Sequence, residues 1–118
     1  MSVDVTNSGE FAASLSWSVE DDPYGYIAQV VAGDQLSAAL SALGGGNTEE
    51  DATQALQDAM HTTQLARLLE RRAAVQVVTL RETHKLSWRQ IANTLLGDPE
   101  KQSSIRRMYE SGRRDIGL

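Results

Sequence analysis

Between Leu86 and Pro99 the chain carries the start signal of one helix, its stop signal, and the start signal of another. That punctuation leaves few folds open to the residues around it. Ser87 stands where an N-cap belongs and Gln90 follows at the third helical position. This is a capping box, in which the hydroxyl takes a backbone N–H and the amide returns to the cap's own N–H. Leu86 before the cap and Ile91 at the fourth position form a hydrophobic staple. Trp88, Ile91, Ala92 and Leu95 then recur on one face at helical spacing. Gly97 ends the helix because glycine tolerates positive φ. Asp98 is placed to cap a second helix with Pro99 at its first position, where the missing N–H has no partner to lose. The spacing predicts that second helix over 99–111, with Ile105, Met108 and Tyr109 as its apolar edge and Gly112 closing it.

The charge distribution divides the chain as sharply as the punctuation does. The net charge of the 118 residues is −5, which alone argues against a polyanionic partner. All 11 Lys and Arg residues, however, lie from Arg67 onward. Residues 1–66 hold 10 acidic side chains and no basic one, whereas residues 67–118 hold 6 acidic and 11 basic. Phosphate affinity follows local cation density rather than total charge, so the C-terminal part qualifies for nucleic acid and the N-terminal part does not. There is no cysteine, hence no disulfide framework, thiolate metal site or thiol nucleophile. No run is apolar and long enough to span a bilayer, and the N-terminus lacks the layout of a signal peptide, so a cytoplasmic location is the expectation.

Taken in order, the N-terminal part reads as a small antiparallel β-meander. Residues 2–6 alternate, Asn7-Ser8-Gly9 signals a turn, and Phe11, Ala13, Leu15, Trp17 and Val19 alternate with Ala12 and three serines. That period of two predicts a strand with a Phe/Leu/Trp face toward a core. After the loop at 20–25, the apolar and β-branched run Tyr26–Ala32 predicts a third strand. Asp34 is placed to cap a short helix with a stripe of Leu36, Ala39, Leu40 and Leu43, stopped by Gly44-Gly45-Gly46. The triple glycine lacks a following Gly-Lys-Ser/Thr and is flanked by Glu49, Glu50 and Asp51, so it reads as a linker rather than a phosphate loop. Thr48 is the expected cap of the next helix, with Asp51 at its third position. Neither Gly nor Pro interrupts the chain from Thr48 to Leu96. A single helix of that length is unusual, and the weak signal for a break falls at His61-Thr62-Thr63. The expected chain is thus α+β: residues 1–46 as an acidic meander plus short helix, and 47–118 as a helical region.

The stretch from Ile91 resembles the helix-turn-helix superfamily of bacterial DNA-binding proteins. Ile91-Ala92 and Leu95 in the first helix, Gly97 in the turn and Ile105 in the second helix carry the likeness, which spans residues 64–114. The Gly97-to-Ile105 spacing is longer than in the compact motif, so the turn or the first turn of the second helix is extended. The resemblance implies that the second helix enters the major groove and reads base edges near its N-terminal end. With Ile105, Met108 and Tyr109 inward, Gln102, Ser103, Arg106 and Arg107 become the base-edge candidates. Arginine suits guanine and glutamine suits adenine. Ser87, Arg89, Lys101, Arg113 and Arg114 are the phosphate candidates. Glu100 and Glu110 share that outer face and count against it.

Little supports catalysis. His61 and His84 stand far apart in the sequence and belong to no spaced ligand set, and no nucleophile elbow is present. The expectation is therefore a non-enzymatic, sequence-specific double-stranded DNA-binding protein, a small dimeric transcriptional regulator that needs no cofactor and no metal. The competing expectation is a protein-interaction subunit, antitoxin-like or adaptor-like, whose acidic lobe docks a partner.

Overall fold

In the computed structural model, which describes residues 2–45 and 49–118, the chain is α+β, a two-stranded antiparallel sheet followed by five α-helices. The strands are β1 (Asp4–Gly9) and β2 (Ala12–Ser16); a 3-10 turn at Val19–Asp21 follows. The helices are α1 (Tyr26–Ala32), α2 (Gln35–Leu43), α3 (Ala52–Glu82), α4 (Trp88–Leu96) and α5 (Gln102–Asp115). The backbone gathers into two compact units, Met1–Thr62 and Thr63–Leu118, and the division falls inside α3. All 11 cations lie in the second unit, with 6 carboxylates, and the other 10 carboxylates lie in the first.

In the first unit, β1 and β2 pair Val5 with Leu15 and Thr6 with Ser14. The register shifts between Asn7 and Gly9, and the chain reverses at Glu10–Phe11, just past the expected turn signal. Leu15 and Trp17 are half-buried as their alternation requires, but Phe11 sits in the turn and is 95% exposed, and Val19 is exposed in the 3-10 turn.

The expected third strand, Tyr26–Ala32, is instead helix α1. A short apolar run does not distinguish strand from helix by period, and its flanks decide. The Asp22 carboxylate accepts the backbone N–H groups of Ile27 and Ala28, both at 3.0 Å, and so satisfies the donors that a helix start leaves over. Ile27 and Val30, three apart, become the half-buried side of the helix. The meander is thus a hairpin. Burial raises the Asp22 pKa, but hydrogen bonds from the backbone of Ala28, Ile27, Tyr26 and Gly25 outweigh it and leave it below its ordinary 3.8.

Helix α2 departs from its expected stripe. Gln35 and Ala38 are its buried residues and Leu36 and Ala39 are half-buried, whereas Leu40 and Leu43 face outward. Asp34 holds the N-cap position in a left-handed conformation, without a side-chain bond to the helix. The expected cap of α3, Thr48, lies outside the described residues. Asp51 starts that helix by accepting the Gln54 N–H at 2.8 Å. No break occurs at His61-Thr62-Thr63. The Thr62 hydroxyl donates to the Asp58 carbonyl at 2.9 Å, one turn back, and so finds its partner inside the helix instead of disrupting it.

The second unit has a defined core. Val77 of α3, Ile91 and Ala92 of α4, and Ile105 of α5 are almost wholly excluded from solvent, with Leu80, Leu86, Trp88, Met108 and Tyr109 packed around them. Leu95, expected on this face, is 42% exposed. The capping box forms as expected: Ser87 Oγ accepts the Gln90 N–H at 3.1 Å and Gln90 Oε1 accepts the Ser87 N–H at 2.9 Å. Gly97 takes the left-handed conformation, φ 69°, and closes α4. Between α3 and α4, Lys85 is left-handed at φ 58°, and Leu86 N–H reaches back to the Leu80 carbonyl.

Helix α5 differs from its expected bounds at both ends. The Asp98 carboxylate accepts the Glu100 N–H, and its carbonyl accepts the Lys101 N–H. Asp98 therefore builds a turn, and the helix begins at Gln102 instead of Pro99. Gly112 does not close α5; the helix runs on to Asp115 with Gly112 buried inside it. A Cβ on Gly112 would lie 2.4 Å from the Ala74 carbonyl oxygen and 2.9 Å from Val78 Cγ2, so glycine is what lets α5 cross α3 at this distance.

Gly112→Ala should therefore destabilise the fold, against the usual helix preference for alanine. Overpacking of this kind costs about 1–3 kcal/mol, and a fall in thermal midpoint by circular dichroism checks it; an unchanged or raised midpoint contradicts the crossing. For Asp22 the depressed pKa means that its contribution to stability is present above the unfolded value and lost as pH falls through the folded one. Asp22→Asn should flatten the dependence of stability on pH in the acid range below about 4, measured by denaturant unfolding across pH.

Candidate nucleic-acid interface

The expected DNA-contacting residues lie on the start of α4, the Gly97–Lys101 connection and α5. Ile105 and Gly112 point α5 inward, and Met108 and Tyr109 flank them half-buried. At 100° per residue this leaves Ser103, Arg107, Glu110 and Arg114 on the opposite side, and all four are exposed. Two expected base-edge residues, Ser103 and Arg107, thus share one open face, and Arg107 makes one long contact, Nη2 to Ser104 Oγ at 3.5 Å. Arg106 is exposed on the flank. Gln102 is half-buried, and its amide donates to the Pro99 carbonyl at 3.3 Å, which holds it against the turn.

The phosphate candidates divide in the same way. Lys101 at the N-cap position and Arg114 on the outer face are exposed. Ser87 and Arg89 line a shallow hollow of about 280 Å³ with Gln90, Asn93 and Pro99. Ser87 Oγ accepts as the helix cap, and its hydroxyl proton is free to turn outward. Arg89 is paired with Glu100 at 3.0 Å, both side chains being largely exposed. Exposed pairs contribute about 0–1 kcal/mol, so this one is readily exchanged for another anion. Arg113 is half-buried and lies over the Tyr109 ring, its Cζ 5.7 Å from the centroid.

An aromatic cluster supports Arg81 and Arg106. Trp88 and Tyr109 meet edge to face with centroids 5.2 Å apart. Arg81 lies over the Trp88 ring with Cζ at 4.4 Å from the centroid, and Arg106 lies over the same ring at 5.5 Å. Such stacks contribute about 0.5–1 kcal/mol each at exposed sites. Arg81 Nη1 also donates to the Leu86 carbonyl at 2.9 Å, so one side chain ties the end of α3 to the start of α4. The Tyr109 hydroxyl donates to Glu82, which ties α5 to the same end of α3. Helical spacing places Trp88 on the apolar face of α4 but does not reveal Arg81 stacked on it. Arg81 reaches Leu86 because the chain doubles back through a left-handed Lys85, a conformation that a lysine does not announce.

Among the described residues no group of three or more His, Cys, Asp or Glu is placed to hold a metal, and no helix is long and apolar enough to cross a membrane. No family model matches the chain, nor does any curated protein or any solved structure.

The Tyr109 phenol is pushed above its ordinary 10.0, first by its hydrogen bond to Glu82, then by burial and by the Glu82 charge, with Arg113 opposing. Its contribution to stability is therefore present below the unfolded pKa and lost as pH rises through the folded one. Difference titration of the phenol absorbance, native chain against Tyr109→Phe, should show one tyrosine ionising above the others. Glu82→Gln should bring it down, and no change on that substitution would contradict the Glu82–Tyr109 tie.

Proposed function

We propose that the chain binds double-stranded DNA sequence-specifically through Thr63–Leu118, as a small transcriptional regulator that lays α5 in the major groove. The observation that carries the reading is the pairing of α4 and α5 on one core, with an arginine-bearing face of α5 turned outward, in the unit that holds every cation of the chain. A helix of this diameter fits the major groove, and the guanidinium fork fits guanine O6/N7. Ser103 and Arg107 are the leading base-edge residues. Arg106 stands beside them, and Gln102 contributes once it gives up the Pro99 carbonyl. Lys101, Arg114, Ser87 and Arg113 take backbone phosphates, and Arg89 joins them by exchanging Glu100 for phosphate. Binding is by occupancy, with no catalytic step and no cofactor. Two copies acting as a homodimer would present two such helices to successive grooves.

A second reading has its own observation. In the first unit only Gln35 and Ala38 are buried among the described residues, while Val5, Phe11, Tyr24, Leu40, Leu43 and Leu56 are exposed. A unit so acidic and so poorly covered suits an interaction subunit whose partner brings apolar and basic groups.

The deciding experiment is selection of random duplex DNA on the purified protein. An enriched sequence is expected, roughly palindromic for a dimer. Arg107→Ala should cost about 1–3 kcal/mol and relax preference at one base pair, while Arg114→Ala should weaken all duplexes evenly and lower the salt slope by about one. Arg106→Ala with Arg107→Ala should abolish enrichment. A folded protein that enriches nothing overturns the DNA reading. A stoichiometric protein complex untouched by the double substitution favours the interaction subunit.

A further inference from the structure

Arg81, Arg106 and Arg113 are each held against an aromatic ring instead of a carboxylate. Two of them lie over Trp88, within 5.5 Å of its centroid, the third lies over Tyr109, and the two rings touch edge to face. Among the described residues no ion pair engages any of the three, since the one salt bridge in this unit joins Arg89 to Glu100. Glu82, the carboxylate nearest the cluster's tyrosine, already accepts the Tyr109 hydroxyl. A stacked guanidinium presents its N–H groups around its edge, away from the ring, and keeps its full charge at any physiological pH. Three such groups on two touching rings, in no ion pair among the described residues, are partly ordered before any ligand arrives, which lowers the entropy lost on binding. One, Arg81, comes from the end of α3 and two, Arg106 and Arg113, from α5, while Trp88 of α4 and Tyr109 of α5 supply the rings, so the cluster spans the junction that α4 and α5 form with the end of α3.

We propose that Arg81, Arg106 and Arg113, held by Trp88 and Tyr109, form a phosphate-binding site. In this assignment Arg106 moves from base reading to phosphate contact, and Arg81 joins the interface although its sequence position gave no sign of it. Planar forks facing an oxyanion form charge-assisted pairs, which matches phosphate better than it matches a neutral or cationic ligand. The site deepens the DNA reading where the phosphates belong to a duplex, and stands without it where the phosphate is free in solution.

Trp88 reports on the site directly. The chain has 2 tryptophans, so Trp17→Phe leaves Trp88 as the sole tryptophan, which is excited selectively at wavelengths that tyrosine does not absorb. That variant is titrated at constant ionic strength with an unselected labelled duplex, and separately with inorganic phosphate. Duplex binding is read independently by anisotropy. A saturable change in Trp88 emission is expected, and Arg106→Gln with Arg113→Gln should weaken it by roughly tenfold or more. Circular dichroism confirms that this variant is folded; Arg81 is left intact because it also holds Leu86. A response to duplex alone assigns the site to backbone phosphates. A response to phosphate, with no duplex bound here and none enriched by selection, keeps the site and overturns the DNA reading. Duplex binding with silent Trp88 and unchanged affinity in the double variant overturns the site and keeps the DNA reading. Silence toward both ligands overturns the site outright.

Discussion

The passage of α5 across α3 at Gly112 is the contact on which the C-terminal unit depends. Backbone meets backbone there, with no side chain between Gly112 and the Ala74 carbonyl. Ile105 lies two turns earlier on the same face of α5 and meets Val77 and Ile91 in the core. A spacer as small as a methyl group at Gly112 would lift that face of the helix. A radial gap of 0.5–1 Å already forfeits roughly a quarter to a half of a dispersion contact. Few side chains are fully buried in this unit, so there is little redundancy to absorb the loss. Glycine inside a helix costs about 0.5–1 kcal/mol in backbone entropy. Burying an isoleucine contributes about 1.5–3 kcal/mol, and the exchange therefore favours glycine.

The same packing sorts the arginines into two kinds. Arg107 and Arg114 project from α5 without an aromatic support, whereas Arg81, Arg106 and Arg113 rest on Trp88 or Tyr109. Holding a long side chain still loses up to about 2 kcal/mol of rotamer entropy. For the stacked arginines part of that loss has already occurred in folding. The division suits an interface in which fixed charges set the position of a polyanion and mobile ones adapt to its sequence. It also explains why a tryptophan in this unit is neither wholly core nor wholly surface.

Local chemistry made the second unit legible. The capping box at Ser87 and Gln90 and the left-handed Gly97 involve residues within a few positions of each other, and both form as their sequence spacing dictates. The inward set Ile91, Ala92 and Ile105 follows from helical period alone. What escaped depends either on a partner distant in sequence or on which of several nearby partners a polar side chain takes. Gly112 looks like a stop signal until Ala74 is beside it, and Asp98 looks like a helix cap until its carboxylate is spent on Glu100. Tyr26–Ala32 satisfies strand and helix patterns equally, and Asp22, read as loop, tips it to helix. Uninterrupted α3 was hidden because a threonine pair reads as a weak breaker, although the Thr62 hydroxyl is satisfied one turn back. Of the interface, the outward face of α5 was legible by period. The aromatic support of Arg81 and Arg106 was not, because it arises only when three helices converge.

The first unit poses the opposite physical problem. A two-stranded hairpin and short helices cannot by themselves bury the apolar side chains that this segment carries, and an isolated hairpin is marginal in water. Leu43 is 85% exposed and Phe11 95%. Covering that surface with the same surface of a second copy would set 10 carboxylates against another 10, with no Lys or Arg among them. Hydrophobic contact must then outweigh a repulsion that salt screens beyond about 8 Å at physiological ionic strength. Self-association through this unit would be strengthened by salt, whereas phosphate binding by the second unit is weakened by it. A cover that brings its own cations escapes the repulsion and follows the same salt dependence as DNA. Ionic strength thus separates a like-charged cover from a basic one, and the complete absence of Lys and Arg from this unit makes the basic one the more favourable electrostatically.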